Sequence, residues 1–185
     1  LLSRHPTFLG ALSVVQRLID TFYARMPPVH AQDGKIHLCP LTRTRLRRVG
    51  SMFVSELRDE AAVRALAAQG PRVMDYTPDV LELRRPARLY WTLPGWHELQ
   101  LAKAARDLGW DVDLWPKLDT VDLVLRKKGN PLRYAVDVKD HMSPQGLARS
   151  FDRFTAYKSH VRLIVIPDYL AKLNPEYRTL FERFR

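Results

Sequence analysis

Between Val121 and Lys139 the chain carries two apolar, β-prone runs around a Gly129-Asn130-Pro131 turn, and no other stretch limits the fold as tightly. Side chains in a strand alternate from face to face, so the spacing predicts strands over 121–127 and 132–139, paired as an antiparallel hairpin. On the second strand Leu132, Tyr134, Val136 and Val138 share one face, and Arg133, Ala135, Asp137 and Lys139 share the other. On the first, Val121, Leu123 and Leu125 share a face, which leaves Asp122 with Val124 on the opposite side. Pairing through the Gly129 turn therefore lets the carboxylates of Asp122 and Asp137 converge.

The flanking elements are equally readable. Pro94-Gly95 opens a helix that runs to about Leu108 and is ended by Gly109, and Val112, Leu114 and Trp115 then form a short strand. Ser143 caps a further helix with Pro144 at its first position and a stripe of Leu147, Phe151 and Phe154. Val161 to Ile166 is an apolar run interrupted only by Arg162, read as a strand buried on both faces. A helical tail follows from Tyr169, broken at Asn174-Pro175. The order is α-β-β-β-α-β, an α/β fold.

The first half reads differently. Phe8, Leu12, Val15, Leu18, Ile19 and Phe22 recur at helical spacing over 7–25, up to Pro27-Pro28. Residues 29–54 suggest a small hairpin turning at Gly34, and an Ala-rich helix follows over 55–69, with Ser55 as N-cap and Gly70-Pro71 as the stop. The expected layout is a small, mainly helical N-terminal module over 1–75, a junction over 76–93 rich in Pro and Arg, and a catalytic-type domain with a helical tail over 94–185.

Charge narrows the partners. The 185 residues hold 30 Lys and Arg against 20 Asp and Glu, a formal charge of +10, which suits a polyanion such as nucleic acid. Cys39 is the sole cysteine, so no intrachain disulfide forms and a cytoplasmic location is the expectation. Gln16 and Arg17 interrupt the apolar stretch near the N-terminus, which is also too short to span a bilayer, so neither a signal peptide nor a membrane span is expected there. A start at Leu1-Leu2 instead of Met is what a fragment of a longer protein would show.

Two converging carboxylates repel by on the order of 4 kcal/mol at ~4 Å and an effective dielectric near ~20. Such a pair needs a cation. Lys139 supplies one charge, and two carboxylates in an oxygen-rich pocket are also ligands preferred by Mg²⁺ or Mn²⁺. A divalent ion there would bind a phosphodiester oxygen and acidify an attacking water, with Lys139 placed to orient that water or stabilise phosphorane charge. Glu98 lines up with Leu101, Ala102, Ala105 and Leu108 on the inward stripe of its helix. It either complements the helix dipole in the first turn or reaches the acid pair from the side.

With Glu98 on a helix, Asp122 on a strand and Asp137-Val138-Lys139 on the next, followed by helix and strand, residues 94–166 resemble the PD-(D/E)XK, restriction-endonuclease-like superfamily of nucleases. The resemblance implies a mixed sheet, Mg²⁺ (or Mn²⁺) on Asp122, Asp137 and the Val138 carbonyl, with Glu98 acting through water, and Lys139 assisting the nucleophile. Thr120-Val121 stands where the name-giving pattern has Pro, and Asp119 is an alternative to Asp122 as first acid. The Trp-x-Leu-Pro-Gly entry at Trp91–Gly95 and the N-terminal module are similar to nucleases associated with bacterial PIWI-like (PIWI-RE) defence proteins. That similarity implies a DNA-cleaving endonuclease with a protein partner in bacterial defence or restriction. Dimers are common in the fold.

Basic residues supply candidate backbone contacts: Arg43, Arg45 and Arg47, which line one edge if the segment is extended, and Arg126, Lys127 and Lys128. His30, His37 and Cys39 fall short of a zinc knuckle because Thr42 stands where a second cysteine is needed. Trp91, Trp96, Trp110 and Trp115 could stack on bases, but they sit near element ends, where core packing is the expectation. Neither a phosphate-binding Gly-rich loop nor a serine or cysteine hydrolase motif is present. The competing function is a catalytically inactive nucleic-acid-binding or partner-docking module that keeps the fold without turnover.

Overall fold

The computed structural model describes residues 12–151 and 157–185, apart from the side chains of residues 12, 118 and 119. The chain divides into two compact units between Leu93 and Pro94. The predicted helical positions Phe8 and Phe154 lie outside the described residues.

The first unit is mixed rather than mainly helical. Helix α1 (Leu12–Phe22) is followed by strands β1 (Tyr23–Arg25), β2 (Lys35–Leu38), β3 (Arg47–Val49) and β4 (Met52–Val54), helix α2 (Glu60–Gln69), strands β5 (Arg72–Asp75) and β6 (Leu81–Leu83), and the short α3 (Arg85–Ala87). Three antiparallel ladders result: β1 with β6, β2 with β5, and β3 with β4. The first helix stops at Phe22 because Tyr23 to Arg25 pair with Leu83 to Leu81, a long-range bond that overrides local periodicity. Gly34 (φ +71) turns the chain into β2, but the tight hairpin is the β3–β4 pair at Gly50 (φ +60). Asp59, not Ser55, caps α2: its carboxylate accepts the Ala61 N–H at 2.7 Å, while Ser55 Oγ accepts from Leu57 N at 3.1 Å in the preceding turn. Arg88 is buried and donates to Glu56 Oε2 at 2.9 Å and to the Leu83 carbonyl. Residues expected to be a loose junction are thus built into this unit.

The second unit holds helix α4 (Leu93–Asp107), strand β7 (Asp111–Leu114), a single turn α5 (Pro116–Asp119), strands β8 (Leu123–Lys127) and β9 (Asn130–Val138), helix α6 (Pro144–Ser150), strand β10 (Val161–Val165), and helices α7 (Asp168–Leu173) and α8 (Tyr177–Phe184). Four strands form one sheet in the order β10-β9-β8-β7. β7, β8 and β9 are antiparallel neighbours and β10 joins β9 in parallel, so the sheet is mixed. Gly109 (φ +79) ends α4, and Ser143 Oγ caps α6 by accepting from Gly146 N at 3.0 Å.

Alternation then sorts the strands into two faces. Leu123, Val136 and Val138 pack with Ala102 of α4, flanked by Val112, Leu114, Leu125, Tyr134 and Val165. The opposite face gathers Val124, Ala135 and Tyr157, with Phe151 and Ile164 against them. Full burial of a side chain such as Leu123 contributes about 2 kcal/mol. Val121 breaks the predicted alternation: it packs with Val124 and Ala135 rather than with Leu123, because the regular strand starts only at Leu123. β10 also departs from expectation. It is an edge strand, with Val161 and Leu163 each 38% exposed, since nothing among the described strands pairs beyond it.

Candidate active site

The acids meet where β8 begins and β9 ends. Carrying the Leu123–Val136 and Val124–Ala135 register one residue further sets Asp122 opposite Asp137. Asp122 is buried, and its Oδ2 accepts the Val138 N–H at 2.5 Å. Lys139 turns its backbone the other way, donating N–H to the Val165 carbonyl at 2.8 Å. An extended residue projects its N–H and C=O to the same side. The Val138 carbonyl is therefore directed, like its N–H, away from β10 and toward Asp122.

Lys139 Nζ bonds Asp137 Oδ1 at 2.6 Å, with both side chains partly exposed. Glu98 comes from α4. It lies on a stripe with Ala102 and Ala105, buried as expected, although Leu108 is 70% exposed and falls off that stripe. Its Oε2 accepts the Trp115 indole N–H at 2.5 Å. Trp115 has left-handed backbone (φ +53), and its own N–H donates to the Asp122 carbonyl at 2.8 Å. Glu98 and Asp122 are thus tied to one residue.

Burial pushes the Asp122 carboxyl up to about 8. The Val138 N–H opposes that rise, whereas the Glu98 charge and a hydrogen bond and charge from Asp137 add to it. Asp122 is therefore held toward its protonated form at neutral pH. Among the described residues no group of three or more His, Cys, Asp or Glu side chains is spaced to hold a metal ion, and the Asp119 side chain lies outside them. Each acid instead has a protein donor: Val138 N–H on Asp122, Lys139 on Asp137, and Trp115 on Glu98. The donor set is nonetheless hard and anionic. A group that holds a proton so far above its ordinary range, between two other acids, fits replacement of that proton by a divalent ion.

A second layer was not legible in sequence. Tyr169 donates its hydroxyl to Asp140 Oδ1, His97 Nε2 lies 4.0 Å from Asp140 Oδ2, and Tyr177 donates to the His141 carbonyl at 2.5 Å. His97 also lies 6.2 Å, ring to ring, from Tyr169. These bonds fix the segment that follows Lys139 against α4, α7 and α8. The only sequence clue is that Asp140-His141 directly continues Asp137-Val138-Lys139.

The basic candidates of the second unit lie away from the acids. Arg126 bonds Asp111 at 3.0 Å, and Lys127 donates to the Leu108 carbonyl at 3.3 Å and covers the Trp110 ring. With Lys128 they occupy the turn end of β8, roughly 17 Å along the strand from Asp122. In the first unit Arg43 adopts φ +58, so the predicted extended edge is broken; Arg45 turns inward to Glu82 at 3.4 Å, and Arg43 and Arg47 remain exposed.

No curated protein and no solved structure matches the chain. Residues 95–185, which carry all four of Glu98, Asp122, Asp137 and Lys139, match the family model described as "REase associating with pPIWI_RE".

Proposed function

We propose that the second unit is a divalent-metal-dependent endonuclease of restriction type that hydrolyses nucleic-acid phosphodiesters, DNA in the first place, and works beside a pPIWI_RE protein in bacterial defence. The observation that carries this reading is the pairing of Asp122 with Asp137 at the sheet end, with Lys139 bonded to one and Glu98 acting on the other. The family match over the same stretch supports both the nuclease class and the protein partner.

Asp122, Asp137 and the Val138 carbonyl would hold Mg²⁺ or Mn²⁺, with Glu98 acting through water; when bound, the ion supplies Lewis acidity toward a phosphodiester oxygen and acidifies water. Lys139 then has two tasks. Its ammonium orients the nucleophile through Asp137, and it offsets charge on the phosphorane. Val138 N–H fixes one Asp122 oxygen and leaves the other to a ligand. Trp115 fixes Glu98, so the acid furthest along the chain from the pair enters the site in one orientation. The formal +10 charge draws the polyanion in.

Supercoiled plasmid incubated with Mg²⁺, Mn²⁺ or a chelator tests the reading, with Asp137→Asn and Lys139→Ala as controls. Nicking by the wild type alone, abolished by the chelator, is the expected result. Binding without metal-dependent nicking by any variant would instead identify a module that has kept the fold and lost turnover.

A further inference from the structure

We infer that the indole of Trp115 is a stacking platform for a nucleobase, so that the site takes single-stranded or locally unpaired nucleic acid in preference to intact duplex. The inference rests on the nuclease reading for its substrate, and on three observations for its geometry.

First, Trp115 is treated unlike the other tryptophans. Among the described residues Trp91 packs with the Phe22 ring, Trp96 with His97 and Trp110 with Tyr134, each at 4.9 to 5.5 Å between centroids. Trp115 has no such ring partner among them; it is 45% exposed, where Trp91 is 64% exposed but packed on Phe22. Second, it is held rigidly in spite of that exposure. Its indole N–H is bonded to Glu98 at 2.5 Å and its backbone N–H to the Asp122 carbonyl at 2.8 Å. Third, its backbone is left-handed at φ +53, a conformation that bulky residues adopt rarely and that clusters at functional sites.

A large apolar ring presented to water, fixed at two points and touching two of the site's acids, is a poor core residue. It is well suited to a base. Every base offers a π face, so stacking recognises an unpaired strand without reading its sequence. In a duplex those faces are already covered by neighbours, and a base reaches the ring only by leaving the stack. Because the indole edge already donates to Glu98, a base stacked on its face keeps the adjoining phosphate beside the acids.

The test uses the full chain and a short labelled oligothymidylate, with Ca²⁺ in place of Mg²⁺ to separate binding from cleavage. Trp115→Ala is expected to weaken single-strand binding by about tenfold or more, while Trp115→Phe, which keeps a ring and loses the N–H, stays within about threefold of wild type. Binding of a duplex of equal length changes little in either variant. Melting temperatures of both variants establish that they are folded; Trp115→Leu replaces Trp115→Ala, and Trp115→Tyr replaces Trp115→Phe, where either is not. Three outcomes overturn the inference: unchanged single-strand binding in Trp115→Ala, an equal loss in Trp115→Phe, which would make the residue a support for Glu98 only, or an equal loss on duplex. If the single-strand loss appears but the wild type cleaves nothing in Mg²⁺ or Mn²⁺, the nuclease reading fails and the platform stands. If cleavage is normal and Trp115→Ala binds as wild type, the platform alone fails.

Discussion

Asp122 stands opposite Asp137 one step beyond the last regular pair at that end of the hairpin, Leu123 with Val136. The position matters because, were the ladder to continue, the following pair, Val121 with Val138, would exchange backbone hydrogen bonds. Past the ladder, the Val138 N–H is released to bond the Asp122 side chain instead. Two like-charged residues are thereby held side by side and one of them is tethered by the other's neighbour, a geometry that stores repulsion until a proton or cation relieves it.

Removing either partner of the Lys139–Asp137 pair should lower plasmid nicking by about a hundredfold or more, the usual scale for deleting one preorganised charge at a reacting phosphate or carbonyl. Asp137→Asn should also weaken Mn²⁺ binding in calorimetry, whereas Lys139→Ala should leave it intact. Equal losses of metal affinity in both would break this division of labour.

Stability should fall with rising pH in the metal-free protein. The folded Asp122 carboxyl is raised from 3.8 to about 8, so between those values the native state holds a proton that the unfolded chain has released. The unfolded state binds fewer protons there, and the slope of unfolding free energy against pH is negative across that window and flat above it. Asp122→Asn should remove this component, and so should saturating Mg²⁺ or Ca²⁺. Denaturant midpoints measured from pH 5 to pH 9 check the sign; a stability that climbs over this range in wild type relative to Asp122→Asn contradicts it.

In the first unit, Arg88→Ala should destabilise by about 3 kcal/mol, because it opens a cavity and leaves Glu56 without its cation, while Glu82 keeps Arg45. Arg88→Met keeps most of the packing and removes the charge, so stability should fall in the same direction by a smaller amount. Urea unfolding followed by far-UV signal measures both.

Tyr169→Phe keeps the ring and removes the hydroxyl that Asp140 accepts from. A hydrogen bond to a charged group is worth about 2 kcal/mol, so the melting point should drop modestly. Nicking should drop more than stability accounts for, since Asp140 directly follows Lys139. A loss confined to stability would make this contact purely structural.

Much of the second unit was legible because its signals are local. Gly109, Ser143-Pro144 and the Gly129 turn each act within a few residues, and the alternation that sorts Asp137 from Val136 is a property of any strand. Where a partner lies far along the chain, the local pattern was misleading. Tyr23 to Arg25 read as the last turn of the first helix yet bond Leu81 to Leu83, and the apolar run from Val161 to Ile166 reads as a strand buried on both faces but lies at an edge. Glu98 and Asp137 could be placed in advance on their helix and strand, and Asp122 and Lys139 to within one residue of their expected strands. The left-handed backbone that ties Trp115 to the acids, and the His97–Asp140–Tyr169 group, could not, since neither a positive φ at a tryptophan nor a contact from residue 97 to residue 140 leaves a trace in spacing.

The two strands that carry the acid pair are joined by a turn of only Lys128 and Gly129, with Lys127 paired to Asn130. Contacts so close in sequence close within microseconds, long before partners that need a crossover. The Lys139 backbone, by contrast, must wait for Val165 to arrive by way of α6. The two acids are therefore forced together early in folding, before the parallel strand that locks the end of β9, and a chain halted between those events would carry the electrostatic strain of its site without the framework that contains it.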